Sequence, residues 1–177
     1  MTKKFAWMAA GLLVMIAIAI FSVWLPAPLK KLGLFSCLLG AIVGMILWQL
    51  REKICSENQT GDSMFVLLLG GLAETVRIYE SYRVHLTIQQ QKLIEKMQEV
   101  PSILQPELTK NIQHSFSDFL LLRYSAISVG LDQKIGSWGI YGLLTVEIIL
   151  AATAAWYAFR YFSIQNTQEQ EPSEPTD

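Results

Sequence analysis

Residues 138–159 read WGIYGLLTVEIILAATAAWYAF, a stretch in which Glu147 is the single charged residue. As a helix this run rises ~33 Å, enough to cross a hydrocarbon core of roughly 30 Å. A carboxylate at the centre of a spanning helix costs roughly 2.5–3.5 kcal/mol on insertion scales, so such a residue faces protein or a water-filled cavity rather than lipid. Glu147 therefore has the strongest claim in the chain to be a site, and its segment sets the class: an all-α integral membrane protein.

Two further apolar stretches precede it, Phe5–Leu25 (FAWMAAGLLVMIAIAIFSVWL) and Leu32–Leu50 (LGLFSCLLGAIVGMILWQL), neither containing a charge. Composition agrees: 52% of residues are apolar, 16% are charged and the mean hydropathy is +0.35, values typical of a membrane chain. Trp7, Trp24, Trp48, Trp138 and Trp156 stand at the ends of the three stretches, where an interfacial aromatic belt is expected. The turn containing Pro26 and Pro28 makes residues 1–50 a transmembrane hairpin, and 138–162 supplies a third span. Lys3 and Lys4 precede a run of 21 residues that no small-x-small site ends, which reads as an uncleaved first helix. A net charge of −1 offers nothing to a nucleic acid.

The segment 51–137 is expected to be a cytoplasmic antiparallel helical hairpin. Its most apolar window, Ser63–Ala73, has eleven residues before Glu74, Arg77 and Glu80, too short to cross by itself. Phe65, Leu69, Leu72, Val76, Tyr79, Arg83, Leu86, Gln90, Leu93, Met97 and Val100 follow a 3.5-residue period, the spacing of a coiled-coil seam. The prolines at 101 and 106 place the turn at 101–106, and Leu108, Ile112, Ser115, Phe119, Leu122, Ala126, Val129 and Gln133 continue the seam in a second arm. Arg83 and Gln90 occupy seam positions where an apolar residue is expected; they either snorkel to water or meet a cytoplasmic partner. Residues 163–177, acidic and containing two prolines, read as a disordered tail.

Lys3, Lys4 and the nine basic residues of 51–137 outnumber Lys30, Lys31 and Arg160, so the positive-inside rule puts the N-terminus and the long segment in the cytoplasm and the C-terminus outside. The short loops suit a bacterial inner membrane.

Catalytic chemistry has little to work with. His85 and His114 would differ by ~12 Å in height on a hairpin folded at its prolines, and Cys37 and Cys55 are eighteen residues apart, so neither pair makes a metal site or a disulfide. No zinc, phosphate-loop or nucleophile motif is present, and no cofactor, metal ligand or catalytic residue is assigned. What remains is packing. Gly33, Cys37, Gly40 and Gly44 form a small-residue stripe containing a GxxxG, and Glu147, Ala151, Ala155 (or Ala154) and Ala158 form a matching row on the third span. Counting inward from the span ends sets Glu147 level with Gly40 and Ala41. None of the three spans offers it a basic residue, so it is expected either to be protonated or to find its partner on another polypeptide. Together these features point to a non-enzymatic structural or assembly subunit of a membrane complex, its partners being lipid and other subunits or further copies of itself. The alternative is an ion- or proton-pathway component using Glu147.

Overall fold

A computed structural model of the chain describes residues 2–25, 33–55, 61–99, 115–128 and 137–169. All regular structure among these is helical: α1 (Thr2–Val23), α2 (Leu34–Ile54), α3 (Gly61–Glu99), α4 (Phe116–Ser128) and α5 (Ser137–Glu169). Three of them carry segments long and apolar enough to cross a membrane, Lys3–Val23, Leu34–Ile54 and Trp138–Gln165. The turn expected at 101–106 lies outside the described residues.

Local chemistry sets the helix limits. Gly33 precedes α2 with φ +76°, a left-handed conformation that favours glycine, and its carbonyl accepts from the Cys37 amide at 3.0 Å. Gly33 thus serves the helix start, and a Cβ on it would lie 3.7 Å from Leu150 of α5. Arg51 and Lys53 lie in the last turn of α2, where they oppose the negative end of the helix dipole. The Ser115 amide donates to the Asp118 carboxylate at 3.0 Å, a reach-back characteristic of a capped N-terminus, and opens α4. Continuing past residue 162, α5 runs to Glu169 because no glycine or proline follows until Pro172.

The chain divides into two compact units, residues 1–77 with 146–177, and residues 78–145. The boundary falls inside α3, not between α2 and α3. In the first unit the Ser63–Ala73 window is part of a four-helix bundle: Val66, Leu69 and Ala73 are fully buried beside Trp7, Met15, Leu39, Val43 and Leu47. Alongside α1 it keeps a constant register. Lys4 meets Asp62, Trp7 meets Phe65 with ring centroids 5.3 Å apart, and a Cβ on Gly11 would lie 3.6 Å from Leu69. Each pair differs by 58 in sequence, so α3 runs parallel to α1 there. Against α2 it runs antiparallel, since Asp62 binds Arg51 and Glu74 binds Ser36. Trp7 corrects the belt expected for the tryptophans: it is 1% exposed and donates its indole N–H to the Leu47 carbonyl at 3.1 Å, whereas Trp24 and Trp138 are exposed.

In the second unit, Tyr82 packs on Phe116 and Phe119, and His85 on Phe119, with centroids 5.2–5.5 Å apart. On α3 this shifts the seam by one residue from the heptad expectation, while Phe119 keeps its expected place on α4. Ile78 is buried while Tyr79 is exposed, and on α4 Phe119, Leu120 and Tyr124 are buried while Leu122 is exposed. The large aromatic rings at 82 and 116, off the heptad, join Phe119 and cover more area than the aliphatic heptad positions, and that face turns inward.

Candidate functional site

The small-residue stripe of α2 meets the alanine row of α5 backbone to backbone. A Cβ built on Gly40 would lie 2.9 Å from the carbonyl carbon of Ala151, and one on Gly44 would lie 2.9 Å from that of Ala155. A third glycine, from α3, enters the same contact: a Cβ on Gly70 would lie 2.6 Å from Ala155 Cβ and 2.9 Å from the Ala151 carbonyl oxygen. Ala151 and Ala155 are fully buried, so three helices approach as closely as main chains can. Cys37 is half-buried on the same helix, and it and Cys55 are free thiols.

These contacts fix depth. With Gly40 at Ala151 and Gly44 at Ala155, Glu147 falls one turn earlier, level with Ser36 instead of Gly40. The difference is ~6 Å, and it arises because α2 and α5 run parallel, so counting inward from opposite helix ends, Leu50 and Trp138, misplaces the carboxyl. Gly71, close to Ile148 and Ala152, brings Glu74 of the antiparallel α3 to the same level.

At that level the bundle holds its most buried polar groups. Glu74 is 0%, Arg77 1% and Glu147 2% exposed, and Ser36 is buried with them. Arg77 Nε donates to Glu74 Oε2 at 2.9 Å and its Nη2 to Oε1, a two-pronged ion pair within one helix turn. The Ser36 hydroxyl donates to Glu74 Oε1 at 3.0 Å, and the guanidinium lies 5.0 Å over the Phe35 ring. Charges this deep persist only when paired and hydrogen-bonded, because desolvation of each ion costs several kcal/mol. The fold therefore places a guanidinium and a second carboxylate at the depth of Glu147, correcting the expectation that the chain offers it no basic residue. Arg77 comes from a segment whose hydropathy conceals its place in the bundle.

A second cluster closes the other end. Asp62 is held by Arg51 at 2.9 Å and by Lys4 at 3.3 Å, with Asp62 and Arg51 both 7% exposed and Lys4 more open. Arg51 also lies 5.6 Å over the Phe159 ring, which ties α5 to the same end. Nothing in the hydropathy pattern marks Asp62. Its only signal is an acid at the start of an apolar run preceded by basic residues at the ends of two spans.

Arg83 and Gln90 are exposed, and Arg83 binds Glu80 at 3.1 Å. Among the described residues no three His, Cys, Asp or Glu side chains come together as a metal site. No family model, curated protein or solved structure matches this chain.

Proposed function

We propose that this protein is a non-enzymatic structural or assembly subunit of a multi-protein membrane complex, in a bacterial inner membrane with the N-terminus in the cytoplasm. The observation that carries this reading lies in residues 78–145. Ile88 and Ile94 on α3 and Leu121 and Leu122 on α4 are 45–61% exposed, although neither segment qualifies as a spanning helix. Exposed leucines and isoleucines on a span are covered by lipid; outside a span they call for protein. Other membrane subunits or a second copy of this chain supply that cover. Solubilisation in mild detergent followed by native mass measurement tests it. A stoichiometric complex or oligomer is expected, and a lone, fully stable monomer would count decisively against the reading.

A second reading, an ion- or proton-pathway component, is favoured by one observation: two carboxylates, Glu74 and Glu147, share a level of the bundle with one guanidinium, Arg77. Two acids against one base leave room for a proton or a small cation. Reconstituted protein whose flux disappears in Glu147→Gln would support this, and protein that passes no ions at any pH would remove it.

A further inference from the structure

We propose that the first part of α3, residues 61–81, is a fourth membrane crossing whose Met64, Leu68 and Leu72 stripe faces lipid acyl chains, so that both termini lie on one face of the membrane and the connection between this crossing and the span that begins at Trp138 lies on the other. The inference rests on α1 and α2 being spans. The register of 58 between α1 and α3 holds over Lys4–Asp62, Trp7–Phe65 and Gly11–Leu69, and carries Ala19 to the level of Arg77. The span Lys3–Val23 of α1 therefore corresponds to residues 61–81, a rise of ~31 Å and the thickness of a hydrocarbon core. The passage is pinned to α2 at its start by Asp62 to Arg51 and within the span by Glu74 to Ser36.

Hydropathy averages hide this passage because three of its four charges point inward; the fourth, Glu80, lies in its last turn and pairs with Arg83 at 3.1 Å. Asp62, Glu74 and Arg77 are buried, while Met64, Leu68 and Leu72, spaced four apart, are 62%, 54% and 47% exposed. The exposed Thr75 on the same side turns its hydroxyl to the Gly71 carbonyl at 3.0 Å, as Thr153 does to Ile149 at 2.8 Å on α5. Hydroxyls bonded to their own helix need no water, which suits a lipid-facing surface. The stripe continues the exposed apolar faces of α1 and α5, where Leu13, Phe21, Ile149 and Tyr157 are likewise uncovered.

α3 runs away from the Lys4 end after Asp62, while α5 runs back toward Arg51. Among the described residues near the span ends, Lys3, Lys4, Arg51, Lys53 and Arg160 lie at the Lys4 end and Arg83 follows the other, which assigns the Lys4 end to the cytoplasm. The C-terminus then joins the N-terminus there, and the connection from residue 82 to Trp138 falls on the outer face, the reverse of the arrangement expected from three spans.

The test uses the full chain in a Cys37→Ala, Cys55→Ser background with single cysteines Lys3→Cys, Ile103→Cys and Ser173→Cys, treated with a membrane-impermeant maleimide on spheroplasts and on inverted vesicles. Lys3→Cys and Ser173→Cys should label from one face and Ile103→Cys from the other. Ile103→Cys labelling together with Lys3→Cys would overturn the proposal. A nitroxide at Leu68→Cys should collide far more with oxygen than with a water-soluble nickel chelate, and the opposite preference would overturn it equally. For the unmodified chain, trypsin applied on the face that labels Lys3 should spare Lys92, Lys96 and Lys110, and cleavage there would also defeat it.

Discussion

Replacing Gly40 or Gly44 by alanine adds one methyl group at a point where the structure has no room for it. In each case the new Cβ would sit 2.9 Å from a main-chain carbonyl carbon of α5, with the carbonyl oxygen nearer still. Ordinary contact begins at 3.4 Å, so α2 and α5 must separate by at least half an ångström, and neither obstacle is a side chain that can swing away. Overpacking of a tight core costs ~1–3 kcal/mol when side chains can adjust, and a backbone-to-backbone clash belongs at the upper end. Opposing this, Gly→Ala in a helix interior gains ~1 kcal/mol of propensity. The net expectation is a loss of ~1–2 kcal/mol for Gly40→Ala and for Gly44→Ala. Two other glycines calibrate the measurement. A Cβ on Gly142 meets nothing within 4 Å, and one on Gly71 meets only Ile148 at 3.4 Å and Ala152 at 3.7 Å, so these alanines should be neutral or stabilising. Thermal unfolding in detergent, followed by near-UV circular dichroism, reads all four. If Gly40→Ala and Gly44→Ala melt with or above Gly142→Ala, the close α2–α5 contact is not what holds the bundle.

Arg77→Met should destabilise by ~3–5 kcal/mol because it strands the buried Glu74, whereas Glu74→Leu with Arg77→Met should recover much of that loss; equal melting of the single and double variants would refute the pairing. Glu147→Gln should retain full yield and assembly on the structural reading, while Glu147→Lys should reduce both by adding a cation beside Arg77, and a fully functional lysine variant would place residue 147 in water. Asp62→Asn should lower the melting temperature clearly, since it leaves the buried Arg51 facing a neutral amide, but Lys4→Met should change it less because the Lys4 side chain is 42% exposed and its ion pair is screened by water. Phe119→Ala should cost ~3–5 kcal/mol and raise hydrogen exchange along residues 116–128, against less than ~0.5 kcal/mol for the exposed Gln90→Ala.

Three spans, the GxxxG stripe and its alanine partners could be read from the sequence because each depends on a local property: unbroken apolar length, or small residues recurring at helical spacing. Gly40, Gly44, Ala151 and Ala155 needed only their spacing to be singled out, and Glu147 only its isolation. The place of α3 needed the tertiary structure. Averaged along the chain, Asp62, Glu74 and Arg77 disqualify the segment as a span, and only its packing against α1 and α2 shows that these three side chains turn inward while Met64, Leu68 and Leu72 turn outward. The same packing gives Glu147 its depth and its charged neighbours, since register between helices far apart in sequence is set by which surfaces interdigitate. The seam of the second unit was displaced for a related reason: a heptad pattern counts apolar positions equally, but the rings of Tyr82, Phe116 and Phe119 decide which face is worth burying.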